Sequence, residues 1–200
     1  MRRAFPWILS TILLVAFIAS FSELQRMRMR FGEVTRHTFH DHAGIRLSVI
    51  KSAMAQTHRP IVLLGDSVAE LAALPATVCG RSIVNAGIGG ARLEELARLA
   101  RELSGASLVI VVAGTNDAGS PTFEADYSRL IASIEPATIA VPSTAFQSVN
   151  NQIVAAAKKS GAKIAAIGFS EFDGVHPTPK AYQEWTKAIS DKLLWEECSR

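Results

Sequence analysis

From Pro60 onward, short β-branched and aliphatic runs alternate five times with stretches that carry apolar residues at helical spacing. This alternation limits the fold more than any other feature of the chain. The runs lie at 61–64, 82–85, 107–112, 138–141 and 162–167. They are continuously apolar, as expected for strands covered on both faces. The spacing predicts helices over 67–74, 93–103, 123–134, 149–160 and 179–194. The second is the clearest, with Leu93, Leu96, Leu99, Ala100 and Leu103 on one side. Pro75 stops the first and Gly161 caps the fourth. The expected fold is α/β, a three-layer α/β/α sandwich around a five-stranded parallel sheet. Ligands of such sheets sit beyond the C-terminal ends of the strands. The polar and glycine-rich clusters at 65–67, 85–90 and 114–117 all fall there.

The N-terminus differs in character. Arg2 and Arg3 precede an uncharged run from Ala4 to Ser22. Its length is just sufficient to span a bilayer. It reads as an uncleaved membrane anchor or as a secretory signal with a poor small-x-small site at 20–22. The chain then divides into a membrane or signal segment (1–22), a polar linker with one helix near 45–55 (23–58), and the α/β domain (59–200). The domain would be extracytoplasmic, membrane-anchored or exported. Apolar residues make up 48% of the chain, enough for a real core even after discounting this segment. The net charge of +3 is local: residues 1–36 hold six arginines against two glutamates, and the remainder has 15 basic and 16 acidic residues. A near-neutral domain argues against nucleic-acid binding. His37, His40 and His42 cluster beside Asp41, but no distant Cys or carboxylate motif completes a metal site, so they read as solvated linker residues. Cys79 and Cys198 could pair in an exported protein and would stay reduced in the cytoplasm.

Three strand ends and one later loop carry the chemistry. Gly65-Asp66-Ser67 follows the first strand, where Gly65 allows a sharp turn and Ser67 opens a helix. Free N–H groups at a helix start favour an anion, so a serine there can attack a carbonyl while its own N–H faces the oxyanion. An ordinary N-cap is the alternative. Asn116, in Gly114-Thr115-Asn116-Asp117, offers a side-chain amide donor, and Asp117 can cap the next turn. Asp173 and His176 lie three apart in one loop, a spacing that lets a carboxylate orient an imidazole base. Glu70, one turn after Ser67, either lines the cleft or complements the helix dipole from solvent.

These blocks, with Asn85-x-Gly87-x-x-Gly90 between the first two, resemble in order those of the SGNH (GDSL-type) hydrolases over roughly residues 60–195. The resemblance implies a flavodoxin-like sheet and no metal or organic cofactor. It also implies Ser67 as nucleophile, His176 as general base and acid, and Asp173 as its orienter. The oxyanion hole would be the Ser67 N–H, the Gly90 N–H and the Asn116 side chain. The expected activity is hydrolysis of a carboxylic ester, on an acylated envelope glycan or a lipid, through an acyl-enzyme. Transfer of the acyl group to a sugar hydroxyl, or a silent glycan-binding domain, are the alternatives. The short segment between Asn116 and Asp173 leaves no room for a lid and predicts an open cleft.

Overall fold

The computed structural model describes residues 5–194, without the side chains of residues 5, 6, 8, 9, 35–41 and 192–194. The elements run in the order α1 (Phe5–Gln56), β1 (Ile61–Gly65), α2 (Ser67–Glu70), β2 (Thr77–Val78), β3 (Arg81–Gly87), α3 (Leu93–Ala100), β4 (Leu108–Val112), α4 (Phe123–Ala132), β5 (Ala137–Ala140), α5 (Gln147–Lys159), β6 (Lys163–Ile164), β7 (Phe172–Asp173), β8 (His176–Pro177) and α6 (Pro179–Ala188). A 3₁₀ turn at Thr115–Asp117 and a π-helical turn at Ile189–Leu194 complete the set.

Two compact units divide the chain, 1–42 and 43–200. The first is helical wherever it is described. Its side chains at Ile12, Leu13, Leu14, Val15, Phe17, Ile18 and Phe21 are all exposed, and Phe17 stacks on Phe21 one turn away. Among the described residues no helix is long and apolar enough to cross a membrane. The uncharged stretch expected from Ala4 to Ser22 begins outside the described residues. It ends at Glu23, which pairs with Arg26 at 3.3 Å. The polar stretch after it is helix rather than irregular linker, since α1 runs on to Gln56.

The second unit holds one six-stranded sheet in the order β2-β3-β1-β4-β5-β6. Four pairings are parallel, as expected, and join the five strands β3, β1, β4, β5 and β6 in the doubly wound order that puts a switch point between β1 and β4. The sheet is nevertheless mixed, not purely parallel. The two-residue β2 pairs antiparallel with β3 at the edge, through a tight turn at Cys79 (φ 53°) and Gly80 (φ 75°). A two-residue strand leaves no apolar run to read. Cys79 is disulfide-bonded, and Cys198, the only other cysteine, lies outside the described residues.

Alternation along the strands sorts the core into two layers. Val62, Leu64, Val109 and Val111 face Ile50 of α1 and the apolar sides of α3, α4 and α5. Ile61, Leu63, Leu108 and Ile110 face Val68 and Ala69 of α2 and Trp185 of α6. The three layers follow from this. Trp185 anchors the second: it is 1% exposed, stacks on Phe169 at 4.9 Å, and donates its indole N–H to the Ile167 carbonyl. Packing of α6 then fixes the β7–β8 hairpin just before it, through Thr178, whose hydroxyl caps the helix, and Pro179 in its first turn.

Candidate active site

Ser67 leaves the end of β1 as the first residue of α2. Asp66 sets that exit. Its carboxylate is fully buried and accepts the Val68 N–H at 2.9 Å, capping the helix. Its other oxygen accepts the N–H groups of Gly114 (3.2 Å) and Thr115 (3.1 Å), beyond β4. One side chain thus ties the two strand ends that flank the switch point. Burial pushes the Asp66 pKa up against the pull of those donors. Gly65 serves close approach rather than a turn, since a Cβ there would lie 1.9 Å from the Val112 carbonyl oxygen.

Ser67 Oγ lies 2.9 Å from His176 Nε2, although 109 residues separate them. The ring reaches the serine from the β7–β8 hairpin, whose turn is Gly174-Val175 with Gly174 at φ 68°. Asp173 and His176 are partners in that ladder. Directly opposed residues of such a pair project to the same face, with Cβ atoms roughly 5 Å apart. Among the described residues no hydrogen bond joins the Asp173 carboxylate to the imidazole, and both residues are exposed. The structure therefore brings Ser67 and His176 into contact and places Asp173 beside the base.

The expected oxyanion donors follow β3 and β4, at the same edge of the sheet as the serine after β1. As the first residue of α2, Ser67 has an N–H with no intrahelical acceptor. Asn116, in the turn after β4, donates one amide hydrogen to the Ala91 carbonyl at 3.0 Å, which leaves its second for a ligand. Gly90 immediately precedes that carbonyl. Asp117 caps α3 rather than its own turn, accepting the Leu93 N–H at 3.0 Å, and burial raises its pKa. The loops after β3 and β4 are thus cross-braced.

Two residues of this scaffold had no role assigned from the sequence: Asn85 stood there only as the first residue of its block, and Arg46 carried no signal. The Asn85 amide donates to the carbonyls of Ala69 and Ala72, finishing α2, and its oxygen accepts the Gly87 N–H. Arg46 of α1 donates to the carbonyls of Gly87 and Asn85 and pairs with Glu70 at 3.3 Å. Glu70 is neither a cleft wall nor a solvated helix residue. It accepts the Gly89 N–H and is only 18% exposed.

A cavity of about 700 Å³ opens beside His176, walled by Leu71, Ala73, Pro177, Pro179 and Tyr182. Tyr182 closes its inner end by donating to the Val68 carbonyl, and burial, with the Asp66 carboxylate nearby, pushes its pKa up to about 12. The described residues contain no cluster able to hold a metal; the side chains of His37 and His40 lie outside them.

No known family's sequence profile matches the chain, and no curated protein matches it. Among solved structures it is similar to a Streptococcus pneumonia protein provisionally described as a platelet activating factor. That match has 16% identity and a TM-score of 0.64 over 80% of this chain and 97% of the other. An acetylxylan esterase from Geobacillus stearothermophilus aligns at 14% identity and a TM-score of 0.44, over 66% of this chain and 93% of its own. The chain thus shares the fold of the Streptococcus protein, and its parallel order around the switch point, with a serine leaving the first strand, agrees with the fold that the resemblance to SGNH hydrolases implies.

Proposed function

We propose that the protein is a serine esterase that cleaves carboxylic esters through an acyl-enzyme on Ser67. The observation that carries this reading is the 2.9 Å contact between Ser67 Oγ and His176 Nε2 at the C-terminal edge of the sheet. Nucleophile and base are already within hydrogen-bond reach. Neutral His176 takes the hydroxyl proton as Oγ bonds to the ester carbonyl carbon. The carbonyl electron pair moves onto oxygen, where the Ser67 N–H, the Gly90 N–H and the free amide hydrogen of Asn116 receive it. As the tetrahedral centre collapses, the C–O bond to the alcohol breaks and His176 returns its proton to the departing oxygen. Water, deprotonated by the same ring, then attacks acyl-Ser67; the ester bond to Oγ breaks, His176 returns that proton to Oγ, and the acid leaves with serine and neutral base restored. Asp173 stabilises the imidazolium formed in both halves.

The cavity beside His176 adjoins the base. Its mainly apolar walls suit a hydrophobic alcohol or acyl part. Attachment to, or export across, a membrane through residues 4–22 is supported by the exposed apolar side chains between Ile12 and Phe21. A disulfide at Cys79 suits an oxidising compartment. Together these favour an envelope ester, an acylated glycan or a lipid, as substrate.

A panel of p-nitrophenyl esters of rising chain length tests the reading, with wild type and Ser67→Ala compared at equal folded concentration. Turnover by wild type that vanishes in the variant is expected. Wild-type-like turnover by Ser67→Ala removes the serine from the chemistry.

A further inference from the structure

We infer that Arg46 and Glu70 form a positioning pair that sets the oxyanion loop and keeps its electrostatics compatible with a developing negative charge. The inference rests on the esterase reading of the site. Glu70 accepts the N–H of Gly89, the residue before the candidate oxyanion donor Gly90. That bond holds the Ile88–Gly89 peptide, the unit just before the one that presents the Gly90 N–H. It also places a largely buried carboxylate close to the point where an oxyanion forms. Alone, such a carboxylate would oppose the transition state it helps to orient, because both charges are negative and water screens them poorly.

Arg46 answers both needs. Its Nε lies 3.3 Å from Glu70 Oε1, which balances the charge locally. Its Nε and Nη2 both reach the Gly87 carbonyl, at 3.0 and 2.9 Å, and Nη2 also reaches the Asn85 carbonyl at 3.1 Å. The guanidinium therefore grips the backbone at the start of the same loop that Glu70 grips at Gly89. A planar fork can hold two carbonyls and a carboxylate at once, whereas a lysine ammonium is a point charge on a flexible stem. With side chains 21% and 18% exposed, the pair is sheltered from solvent, unlike the half-exposed pair that Lys51 of the same helix α1 makes with Glu102.

The test is a double-mutant cycle on the full chain, with active sites counted by titration. Arg46→Ala should lower kcat roughly ten- to a hundredfold with KM little changed, short of the ~10²–10³ lost on deleting an oxyanion donor. Arg46→Lys should recover only part of that. Glu70→Gln keeps an acceptor for Gly89 and should cost little alone. The telling variant is Arg46→Ala with Glu70→Gln, in which the Glu70 charge is gone as well. Its kcat should exceed that of Arg46→Ala, where a merely structural role predicts equal or lower activity. A double variant no better than Arg46→Ala, or an Arg46→Ala whose loss lies wholly in KM, overturns the charge-balancing role. Amide exchange of Gly89 and Gly90 provides a readout independent of turnover. Faster exchange at both in Arg46→Ala is expected, and unchanged exchange overturns the positioning role. Absence of esterase activity in wild type itself would fall on the functional reading, and exchange would still decide the loop contact.

Discussion

Asp66 is the residue on which strand ends, helix start and nucleophile converge. Its carboxyl accepts three backbone N–H groups while excluded from solvent. Because burial raises its pKa, the folded state keeps the proton at pH values where the unfolded chain has released it. Between the unfolded and folded pKa values the folded state binds more protons, so the stability due to this group is complete at low pH and is lost as pH rises through the folded value. Asp66→Asn has no proton to lose. It should be destabilised by about 1–3 kcal/mol where its amide opposes a backbone N–H. The gap to wild type should be widest in acid and narrow towards neutral pH. Urea unfolding of both proteins at several pH values checks this; a gap that is constant or grows with pH contradicts the assignment. Asp66 was legible only as a helix cap beside Ser67. Ser67, Asn116, Asp173 and His176 stood out in the sequence because their blocks come in order after apolar runs, and of these the structure joins Ser67 to His176 by a hydrogen bond. Arg46 could not be read in the same way, and Asn85 was legible as the head of its block but not by its role. Their partners are largely main-chain carbonyls, 39 and 41 residues away for Arg46, and a carbonyl has no sequence signature.

At the scale of elements, the β7–β8 hairpin is what delivers the base. It is two residues on each side of a Gly174-Val175 turn, so little besides the turn geometry and α6 fixes the ring. At φ 68° Gly174 occupies the left-handed region, which costs an L-residue roughly 1–2 kcal/mol. Gly174→Asn should be tolerated, since Asn adopts this conformation readily. Gly174→Val should cost several-fold in kcat by shifting His176 from Ser67, with only a small drop in Tm because the hairpin buries little. Equal kcat for the two variants would mean that the turn does not set the base. The same scale explains what sequence patterns could and could not reveal. Apolar runs of four to six residues placed five strands, because strands covered on both faces are apolar throughout. The fifth was read over 162–167, yet only Lys163–Ile164 joins the ladder. β2 is too short to carry a pattern. The middle of α1 was hidden for the opposite reason. Leu24, Met27, Met29, Phe31 and Val34 are all exposed, so this stretch of helix has no buried face and therefore no helical periodicity to betray it.

At the scale of the whole molecule, the boundary that matters lies inside α1. The compact unit begins at residue 43, earlier than the change of sequence character near Pro60. The reason is packing. Ile50 is 1% exposed within the core layer formed with α3, α4 and α5, and Leu47, Ala53 and Met54 pack against that layer. Losing a buried Ile alone costs about 2–5 kcal/mol, against a total stability of about 5–15 kcal/mol for a typical domain. The segment 43–58 also carries Arg46, with its grip on the loop after β3. A chain starting at residue 43 should therefore keep the Tm and the per-site turnover of the full chain. A chain starting at residue 59, the boundary suggested by sequence pattern, should melt well below it. At temperatures where the shorter chain remains folded, it should also turn over more slowly than its folded fraction explains, because the oxyanion loop has lost its arginine. Thermal unfolding and titrated activity of the two truncations decide the matter. Equal Tm and equal turnover would mean that the end of α1 belongs to neither the core nor the site.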